Sequence, residues 1–326
     1  MADHVRIGVL GAARIVPAAL VEPGRSVAAV EVSAVAAREV GRAREFADRH
    51  GIAKVHTTYE ELLADENLDA VYIPLPNGLH GRWTLAALAA GKHVLCEKPF
   101  AANADEAAAV AEAAKRSGLV VMEAFHYRYH PLAARLAEVV AELGTLRHVE
   151  ARMCIPLPRS ADIRYSWELA GGALMDVGSY AVNLVRLLGG EPEVKSARAL
   201  LKRPDVDRAV RAELKFPGGH TGTVVASLWS RSLARLSARV LGDHGEVRVF
   251  NPFAPQYGHR LAVRLDGHRR VERFARRPTY EYQLEAFADA VVHGRPFPTT
   301  ADDAVATLRV VDDIYRAAGL PVRRPT

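Results

Sequence analysis

The stretch Gly8-Val9-Leu10-Gly11-Ala12-Ala13-Arg14-Ile15-Val16 decides the fold, because it joins an apolar strand pattern to a helical pattern through a glycine turn. Gly11 permits a tight turn, and the amino terminus of the next helix offers N–H groups to a pyrophosphate. Ala13 and Val16 replace the second and third glycines of G-x-G-x-x-G, so the motif alone fits an ordinary glycine turn equally well. The strand–turn–helix context favours a dinucleotide site whose candidate residues are Gly8, Gly11, Ala13, Arg14 and Ile15.

Strand-like and helix-like segments alternate after this turn. Near-continuous apolar runs predict strands that are buried on both faces, and these are Val5–Leu10, Val32–Ala37, Ala70–Leu75, His93–Cys96 and Leu119–Ala124. The segments between them predict the helices Arg14–Val21, Glu39–His50, Gly81–Ala90 and Asp105–Ser117. Such alternation is typical of right-handed βαβ units on an open parallel sheet. The sequence therefore predicts a Rossmann-type dinucleotide-binding domain over residues 1–122, in an α/β protein.

The periodicity changes after about Phe125. Period-two patterning predicts the strands Thr145–Ile155, Val194–Leu201, Val210–Phe216, Thr221–Trp229, Arg235–Leu241 and Glu246–Phe250. Helical patterning predicts Leu132–Glu142, Ala173–Leu188, Tyr280–His293 and Ala301–Ala317. We expect residues 123–326 to form an α+β domain for substrate binding and oligomerisation, built on a large, mainly antiparallel open sheet.

Bulk composition narrows the class of protein. The chain has 326 residues, enough for about two domains at roughly 150 residues each. No apolar run approaches the ~18 residues that span a bilayer, and the start lacks a signal-peptide pattern, so the expected location is the cytoplasm. Cys96 and Cys154 lie in apolar strand patterns and are predicted to be buried thiols.

The net charge of +5 arises in the second half of the chain. Residues 1–122 carry 13 basic and 15 acidic side chains, against 30 and 23 in the remainder. No nucleic-acid motif accompanies this excess. Arginines on the outer faces of amphipathic strands explain it, so neither nucleic acid nor membrane is an expected partner.

The end of the second predicted strand should select the cofactor, since a carboxylate there would bind the ribose 2′-hydroxyl. The sequence instead reads Val35-Ala36-Ala37-Arg38-Glu39. Arg38 can form a charge-assisted fork with a 2′-phosphate, and Arg42 could assist one helical turn later. We therefore predict NADP, with NAD possible. The alternative is a solvated Arg38 with Glu39 reaching the ribose.

Lys98 lies in Glu97-Lys98-Pro99, directly after the strand His93–Cys96. The carboxyl ends of parallel strands are where such sheets bind their ligands. A lysine there beside a dinucleotide suggests hydride transfer next to a cationic side chain. The prolyl turn also makes a cis Lys98–Pro99 peptide bond a reasonable expectation.

With these motifs placed, the whole chain resembles the glucose–fructose oxidoreductase / inositol dehydrogenase (Gfo/Idh/MocA) family. The resemblance rests on Gly8–Ile15, Pro74-Leu75-Pro76-Asn77-Gly78-Leu79-His80, Glu97-Lys98-Pro99 and Gly171-Gly172-Ala173-Leu174-Met175-Asp176-Val177-Gly178-Ser179-Tyr180. Arg38, Tyr127-Arg128-Tyr129-His130-Pro131 and Tyr180 are similar to one branch of it. That branch contains dimeric trans-dihydrodiol dehydrogenase and NADP-dependent D-xylose 1-dehydrogenase.

The resemblance implies a two-domain enzyme in which Lys98 is catalytic. It also implies that Pro76, Asn77, His80 and Glu97 lie near the cofactor; the alternative for His80 is that it caps its helix. Asp176 would bind or orient substrate.

Oxidation of a carbinol also needs an acid/base for the hydroxyl proton. Asp176 and Tyr180 are four residues apart on a predicted helix and should share a face. An ammonium at Lys98 would favour the tyrosinate, so we assign Tyr180 as the acid/base and Lys98 as the group that tunes it. Lys98 could also bind the substrate oxygen directly.

His126 and His130 have the spacing of a metal pair, but Pro131 argues against a helix there and no third ligand is evident. We expect no metal, and structural roles for both histidines. Whether they line the pocket stays open.

The leading interpretation is an NADP(H)-dependent oxidoreductase of a sugar or polyol carbinol or carbonyl. The close alternative is a trans-dihydrodiol or dicarbonyl oxidoreductase, and the alternative of another class is a non-catalytic NAD(P)-binding regulator. Apolar side chains on both faces of Thr221–Trp229 further predict a homodimer, because the predicted helices cover only one face.

Overall fold

A computed structural model describes residues 4–158, 161–229 and 234–326. The first three residues, which the sequence analysis includes in its first domain, lie outside this range. The chain forms two compact units. The first comprises the residues up to His126 together with Pro278–Val305, and the second consists mainly of Tyr127–Arg277 and Ala306–Arg324.

The first unit is built on a six-stranded parallel sheet with the strand order β3-β2-β1-β4-β5-β6. Its strands are β1 (Val5–Leu10), β2 (Val30–Ala36), β3 (Lys54–His56), β4 (Ala70–Ile73), β5 (His93–Cys96) and β6 (Val121–Glu123). Its helices are α1 (Glu22–Ser26), α2 (Val40–His50), α3 (Tyr59–Leu63), α4 (His80–Ala89), α5 (Ala104–Ser117) and α8 (Thr279–His293). The Rossmann-type prediction for this part of the chain is confirmed.

The second unit carries an eight-stranded sheet with the order β14-β13-β12-β11-β7-β10-β9-β8. These strands are β7 (Leu146–Cys154), β8 (Glu193–Arg203), β9 (Val206–Lys215), β10 (Thr221–Ser227), β11 (Arg235–Gly242), β12 (Gly245–Phe250), β13 (Arg260–Leu265) and β14 (His268–Glu272). Pairing is antiparallel throughout, except between β7 and β10. The predicted mainly antiparallel open sheet is therefore confirmed.

Helices cover one face of this sheet. They are α6 (Pro131–Ala141), a π-helical turn at Leu174–Gly178 and α7 (Ser179–Gly189), and the last long helix of the chain is α9 (Ala301–Ala317). The inward side chains Val224 and Ala226 of β10 are fully buried against the helical layer. Helix α5 has capping residues of the preferred types at both ends, since the Asn103 side chain accepts from the Glu106 N–H at its start and Gly118 is left-handed at its end.

Several elements differ from the sequence expectations. The expected helix Arg14–Val21 is a π-helical turn at Pro17–Val21 followed by α1, with Pro17 as its first residue. The expected helix Ala173–Leu188 is helical throughout, but its part at Leu174–Gly178 is a π-helical turn that leads directly into α7. The short strand β3 and the charged edge strand β14 have no apolar alternation, so their sequences do not predict them.

The two compact units also divide the chain differently from the expected boundary at residue 123. Pro278–Val305 belongs to the first unit, because α8 packs against α1, β1 and β2 through an apolar face that includes Leu284 and Phe287. Within residues 4–158, 161–229 and 234–326, no helix combines the length and the hydropathy needed to cross a membrane.

Candidate active site

The glycine turn after β1 has the geometry of a phosphate-binding turn. Gly11 adopts φ +115°, a conformation that disfavours any side chain, and its N–H donates to the Ala36 carbonyl over 2.7 Å. A Cβ there would lie 3.0 Å from Leu75 Cδ2. A Cβ on Gly8 would lie 2.7 Å from Leu62 Cδ2 in the core, so this leucine would have to shift to admit any side chain there.

The next residues turn outward before the π-helical turn begins. The Ala13 N–H donates to the Gly11 carbonyl over 2.9 Å. Arg14 and Ile15 are exposed, and Val16 is fully buried beneath them. The backbone here is therefore open to a ligand on its outer side, and the small Ala13 leaves room for a phosphate to approach.

Two arginines border this turn. Arg38 follows β2, its side chain is 86% exposed, and its nearest acidic neighbour is Glu39 at 3.9 Å. Arg42, in the first turn of α2, donates from Nη2 to the Ala12 carbonyl over 3.4 Å. The Arg42 guanidinium thus lies beside the turn that would hold the pyrophosphate, and Arg38 lies two residues beyond β2. The residues of the first unit therefore fit a dinucleotide with an additional phosphate.

Lys98 sits in a turn that is fixed on both sides. Preceding it, Glu97 accepts a 2.7 Å hydrogen bond from the buried hydroxyl of Tyr72 on β4. Following it, the Lys98–Pro99 peptide bond is cis, as the prolyl turn predicts. Lys98 itself is half-buried. The turn therefore holds a cation at the carboxyl end of β5, on the same sheet edge as the glycine turn after β1.

The His80 side chain connects the loop after β4 to the loop after β5 through its two ring nitrogens. Its Nδ1 lies 2.7 Å from the Pro99 carbonyl and its Nε2 lies 2.7 Å from the Leu75 carbonyl. Burial lowers the pKa of the His80 imidazole, and the hydrogen bonds to the two carbonyls oppose that shift. His80 is the first residue of α4, but its ring joins the turn after β4 to the turn after β5.

Pro76 and Asn77 occupy the loop that His80 holds. Both are half-buried, and Asn77 begins a short 3₁₀ turn in which the Leu79 N–H donates to the Pro76 carbonyl over 2.9 Å. This loop follows β4 directly, between the glycine turn and the Lys98 turn in sheet order. The three loops named by the sequence motifs thus share one edge of the first sheet.

His126 belongs to the environment of Lys98. It is buried, its Nδ1 lies 2.7 Å from the Thr279 hydroxyl, and its ring lies 4.2 Å from that of Tyr280. Burial, and secondarily the positive charge of Lys98, lower the pKa of His126 to about 3. His126 is therefore a neutral neighbour of the lysine.

His130 has a separate role, in the second unit. Its Nδ1 accepts from the Leu132 N–H at the start of α6, and its Nε2 lies 3.0 Å from the Ala275 carbonyl. Across the part of the chain that the structure describes, no three histidine, cysteine or acidic side chains are grouped to hold a metal ion. Cys96 and Cys154 are buried free thiols, as predicted.

Asp176 lies in the π-helical turn of the second unit, paired with an arginine. Its Oδ2 is 2.9 Å from Arg164 Nε, and Asp162 holds the same guanidinium at 3.2 Å. The negative charge of Asp176 is the largest cause of the raised pKa of Arg164. Isolated π-helical turns often occur at functional sites, because they redirect one or two side chains from the regular helix. The pair therefore places a hydrogen-bond donor, the half-exposed Arg164 guanidinium, next to an acceptor, the Asp176 carboxylate.

Tyr180 follows in the first turn of α7, where aromatic rings enclose it. Its ring centroid lies 6.0 Å from that of Tyr127 and 5.7 Å from that of Phe253. The Tyr127 hydroxyl donates to Asn183 Oδ1 over 2.6 Å. Phe253 gave no signal in the sequence, whereas Asn183 could have been found from its position three residues after Tyr180 on the same helix.

Family comparison fits this arrangement. Residues 5–125 match the model described as "Oxidoreductase family, NAD-binding Rossmann fold", and residues 134–248 match the Gfo/Idh/MocA C-terminal domain. The chain belongs to the Gfo/Idh/MocA oxidoreductase family. Its Rossmann unit is thus an NAD(P)-binding unit, and the resemblance read from the motifs is confirmed.

Named relatives of this Gfo/Idh/MocA oxidoreductase are dehydrogenases and reductases. D-xylose 1-dehydrogenase (NADP(+)) 2 of Haloferax volcanii is 39% identical over 95% of this chain and 96% of the relative. Trans-1,2-dihydrobenzene-1,2-diol dehydrogenase of Sus scrofa is 38% identical over 68% of this chain and 67% of the relative. Both members of the branch that the motifs indicate are thus among the relatives.

A solved structure is also similar over nearly the whole chain. A 3-ketoreductase from Actinomadura kijaniata, in complex with NADP and TDP-benzene, superposes with a TM-score of 0.88 at 28% identity. The match covers 96% of this chain and 98% of that chain. This similarity supports an enzyme of the NAD(P)-dependent dehydrogenase/reductase class.

Proposed function

We propose that this protein is an NADP(H)-dependent oxidoreductase that transfers hydride between the nicotinamide and a carbinol or carbonyl carbon of a sugar or polyol. The observation that carries the proposal is that Lys98, Asp176 and Tyr180 are all present and each is held in a defined local structure. A non-catalytic NAD(P)-binding regulator would have no need for a cationic side chain at the strand end together with a positioned phenol.

In the proposed oxidation, the nicotinamide, when bound, supplies the hydride acceptor. The Tyr180 phenolic oxygen takes the proton that leaves the substrate hydroxyl, and it returns that proton in the reverse direction. The Lys98 ammonium stabilises the phenolate and the developing charge on the substrate oxygen. Asp176 and Arg164 orient neighbouring hydroxyl groups, which a sugar or polyol offers and a simple alcohol does not.

The preference for NADP over NAD rests on the strand end after β2. Arg38 has no buried ion-pair partner that would compete for its guanidinium, since its contact with Glu39 is long and exposed. Arg42 adds a second positive charge close to the turn. A 2′-phosphate would be attracted by both, whereas NAD would gain little from either. The NADP named for the Haloferax volcanii relative agrees with this preference.

A panel assay tests the proposal. NADPH formation is measured with aldoses, inositols and diols, and NADPH consumption is measured with the corresponding ketones and dicarbonyls. Turnover with aldoses or polyols supports the proposal. NADP binding with no turnover on any member of the panel would overturn it in favour of the regulator.

Oxidation of trans-dihydrodiols is a second candidate, favoured by the ring cluster around Tyr180. Phe253 and Tyr127 are buried aromatic neighbours of the proposed acid/base, and such rings can pack against a flat apolar substrate. The same panel distinguishes the two, because a preference for dihydrodiols over aldoses by kcat/KM would select this alternative.

We further propose that the uncovered face of the second sheet binds a second copy of the chain. Strand register places Leu200 of β8 and Phe250 of β12 on the same face as Val225. Leu200 and Phe250 are 54% and 60% exposed. A groove of about 240 Å³ beside Leu200 and Val225 is lined mainly by apolar atoms, with Arg198 and Arg211 at its side. The ion pairs Arg152–Glu150 and Arg211–Glu213 lie on the same face, and a face that carries apolar groups and both signs of charge can be self-complementary, as an isologous dimer requires.

A further inference from the structure

A fully buried ion pair lies in the second unit, outside the proposed catalytic set. Arg323, near the carboxyl terminus, and Asp207, on β9, are each 0% exposed and lie 2.8 Å apart. Burying two charges is costly unless each makes further hydrogen bonds. The groups that satisfy these two charges therefore indicate what the pair does.

Asp207 holds the beginning of the π-helical turn. Its Oδ2 accepts from the Leu174 N–H over 2.7 Å, and its Oδ1 accepts from the Tyr315 hydroxyl over 3.0 Å. Leu174 is two residues before Asp176. The Asp207 carboxylate thus fixes the first backbone donor of the segment that carries the proposed substrate-orienting acid.

Arg323 holds Gly171, which lies three residues before this segment. Its Nε donates to the Gly171 carbonyl over 2.7 Å. Its guanidinium lies 4.1 Å from the centroid of the Tyr315 ring and 4.8 Å from that of Trp167. Its Nη2 donates to Asp207 Oδ1 over 2.8 Å, so one guanidinium group joins the Gly171 carbonyl to the Asp207 carboxylate.

The turn at Gly171 and Gly172 leaves no room for a side chain at either position. A Cβ on Gly172 would overlap the Asp207 carboxylate and would lie 2.7 Å from the Tyr315 hydroxyl. The Gly172 N–H donates to the Arg164 carbonyl over 2.8 Å. The same short turn therefore also fixes the backbone of Arg164, whose side chain pairs with Asp176.

We propose that Arg323 is a positioning residue for the active site. Through Asp207 and the Gly171–Gly172 turn, it holds the π-helical turn and so sets where Asp176 and the Arg164–Asp176 pair point. Tyr180 depends on the same segment, because α7 continues from the π-helical turn without a break. The inference rests on the proposed function for the roles of Asp176 and Tyr180, but its structural part stands independently.

The test compares R323M with R324M. Arg324 is the next residue, undergoes the same chemical change and is exposed, so R324M controls for general effects of the tail. Hydrogen exchange by mass spectrometry of peptides that cover 171–180 is measured without substrate. We expect exchange at least about tenfold faster in R323M, because backbone bonds freed from the clamp open locally, and no change in R324M.

Steady-state kinetics provide the second readout. Rates are divided by the concentration of NADP-binding sites. R323M should then lower kcat/KM for the substrate on the order of 10- to 100-fold, since small displacements of catalytic groups have effects of this size. NADP affinity should stay within about twofold. R323K should recover part of the loss, because lysine keeps the charge but cannot serve both acceptors as a fork.

Each outcome decides the inference. Wild-type kcat, KM and pH–rate profile per binding site in R323M, or unchanged exchange over 171–180, would overturn it. If R323M does not fold, the double variant R323M/D207N, which removes both charges, takes its place in the same assays. If neither folds, the pair serves the fold as a whole and the positioning role is refuted. A wild-type enzyme with no turnover would refute the proposed function while leaving the exchange result intact.

Discussion

His126 should make the first unit sensitive to mild acid. Its ring is buried next to Lys98 and hydrogen-bonded to Thr279, and its pKa lies near 3 instead of the ordinary 6.5. Between these values the unfolded chain binds a proton at this histidine that the folded chain does not. The folded state therefore loses no stability through His126 above about pH 6.5. Below that pH it loses progressively more as the pH falls toward 3.

The size of the effect follows from the two pKa values. At pH 7.5 the histidine is neutral in both states and contributes almost nothing. At pH 5.0 the unfolded state gains about 2 kcal/mol from protonation of a histidine with a pKa of 6.5. Any folded pKa below about 4 gives nearly the same loss at that pH, so the result does not depend on the value of 3 alone.

The assay is urea unfolding, without cofactor, at pH 7.5 and pH 5.0. Wild type should lose about 2 kcal/mol more between these values than H126N, whose side chain cannot take up the proton. H293N, which alters an exposed histidine of the same unit, should behave as wild type. In K98M, NMR titration should find the pKa of His126 raised, because a neighbouring positive charge is removed. Equal acid losses in wild type and H126N would refute the reasoning.

Three further predictions concern the proposed function. Arg38→Ala should weaken NADP binding by roughly 10- to 150-fold, or about 1.5–3 kcal/mol, and barely change NAD binding in calorimetry; equal losses for both would show that Arg38 does not contact the phosphate. Tyr180→Phe and Lys98→Met should each lower kcat by roughly 10²- to 10⁴-fold at unchanged NADP affinity. The double variant should be little worse than the poorer single one, and multiplying effects would mean that the two act separately. Light scattering at micromolar concentration should find a dimer that Phe250→Glu dissociates, whereas a glutamate at Tyr257, 81% exposed outside the sheet, should not; a monomeric wild type contradicts the interface.

Local sequence determined most of the first unit. Gly11 can adopt φ +115° at low cost and the residues around it cannot, so the turn is visible without any tertiary contact. Buried parallel strands are apolar on both faces, which is why β1, β4 and β5 stand out from the sequence. Strand β3 did not stand out, because its three residues are partly exposed.

The motif residues of the candidate site were also predictable, but their partners were not. Lys98 and Asp176 stand out in sequence motifs and their roles stay predictions, whereas the sequence assigned the neutral His126 beside the lysine only a structural role. The enclosure of Tyr180 by Phe253 was invisible, because it joins an aromatic residue of a loop after β12 to a helix about 70 residues earlier.

The sequence by itself determined the order of strands and helices, the glycine turn and the lysine turn, because these depend on residues close together in the chain. Only the tertiary structure decided which charges are paired and which loops are held. The hydrogen bond from Arg323 to Asp207 joins residues 116 positions apart, and nothing in the periodicity of either segment indicates it. Local conformational preferences act over a few residues, whereas the pairing of buried charges depends on the whole packed unit, so it can be known only once the chain has folded.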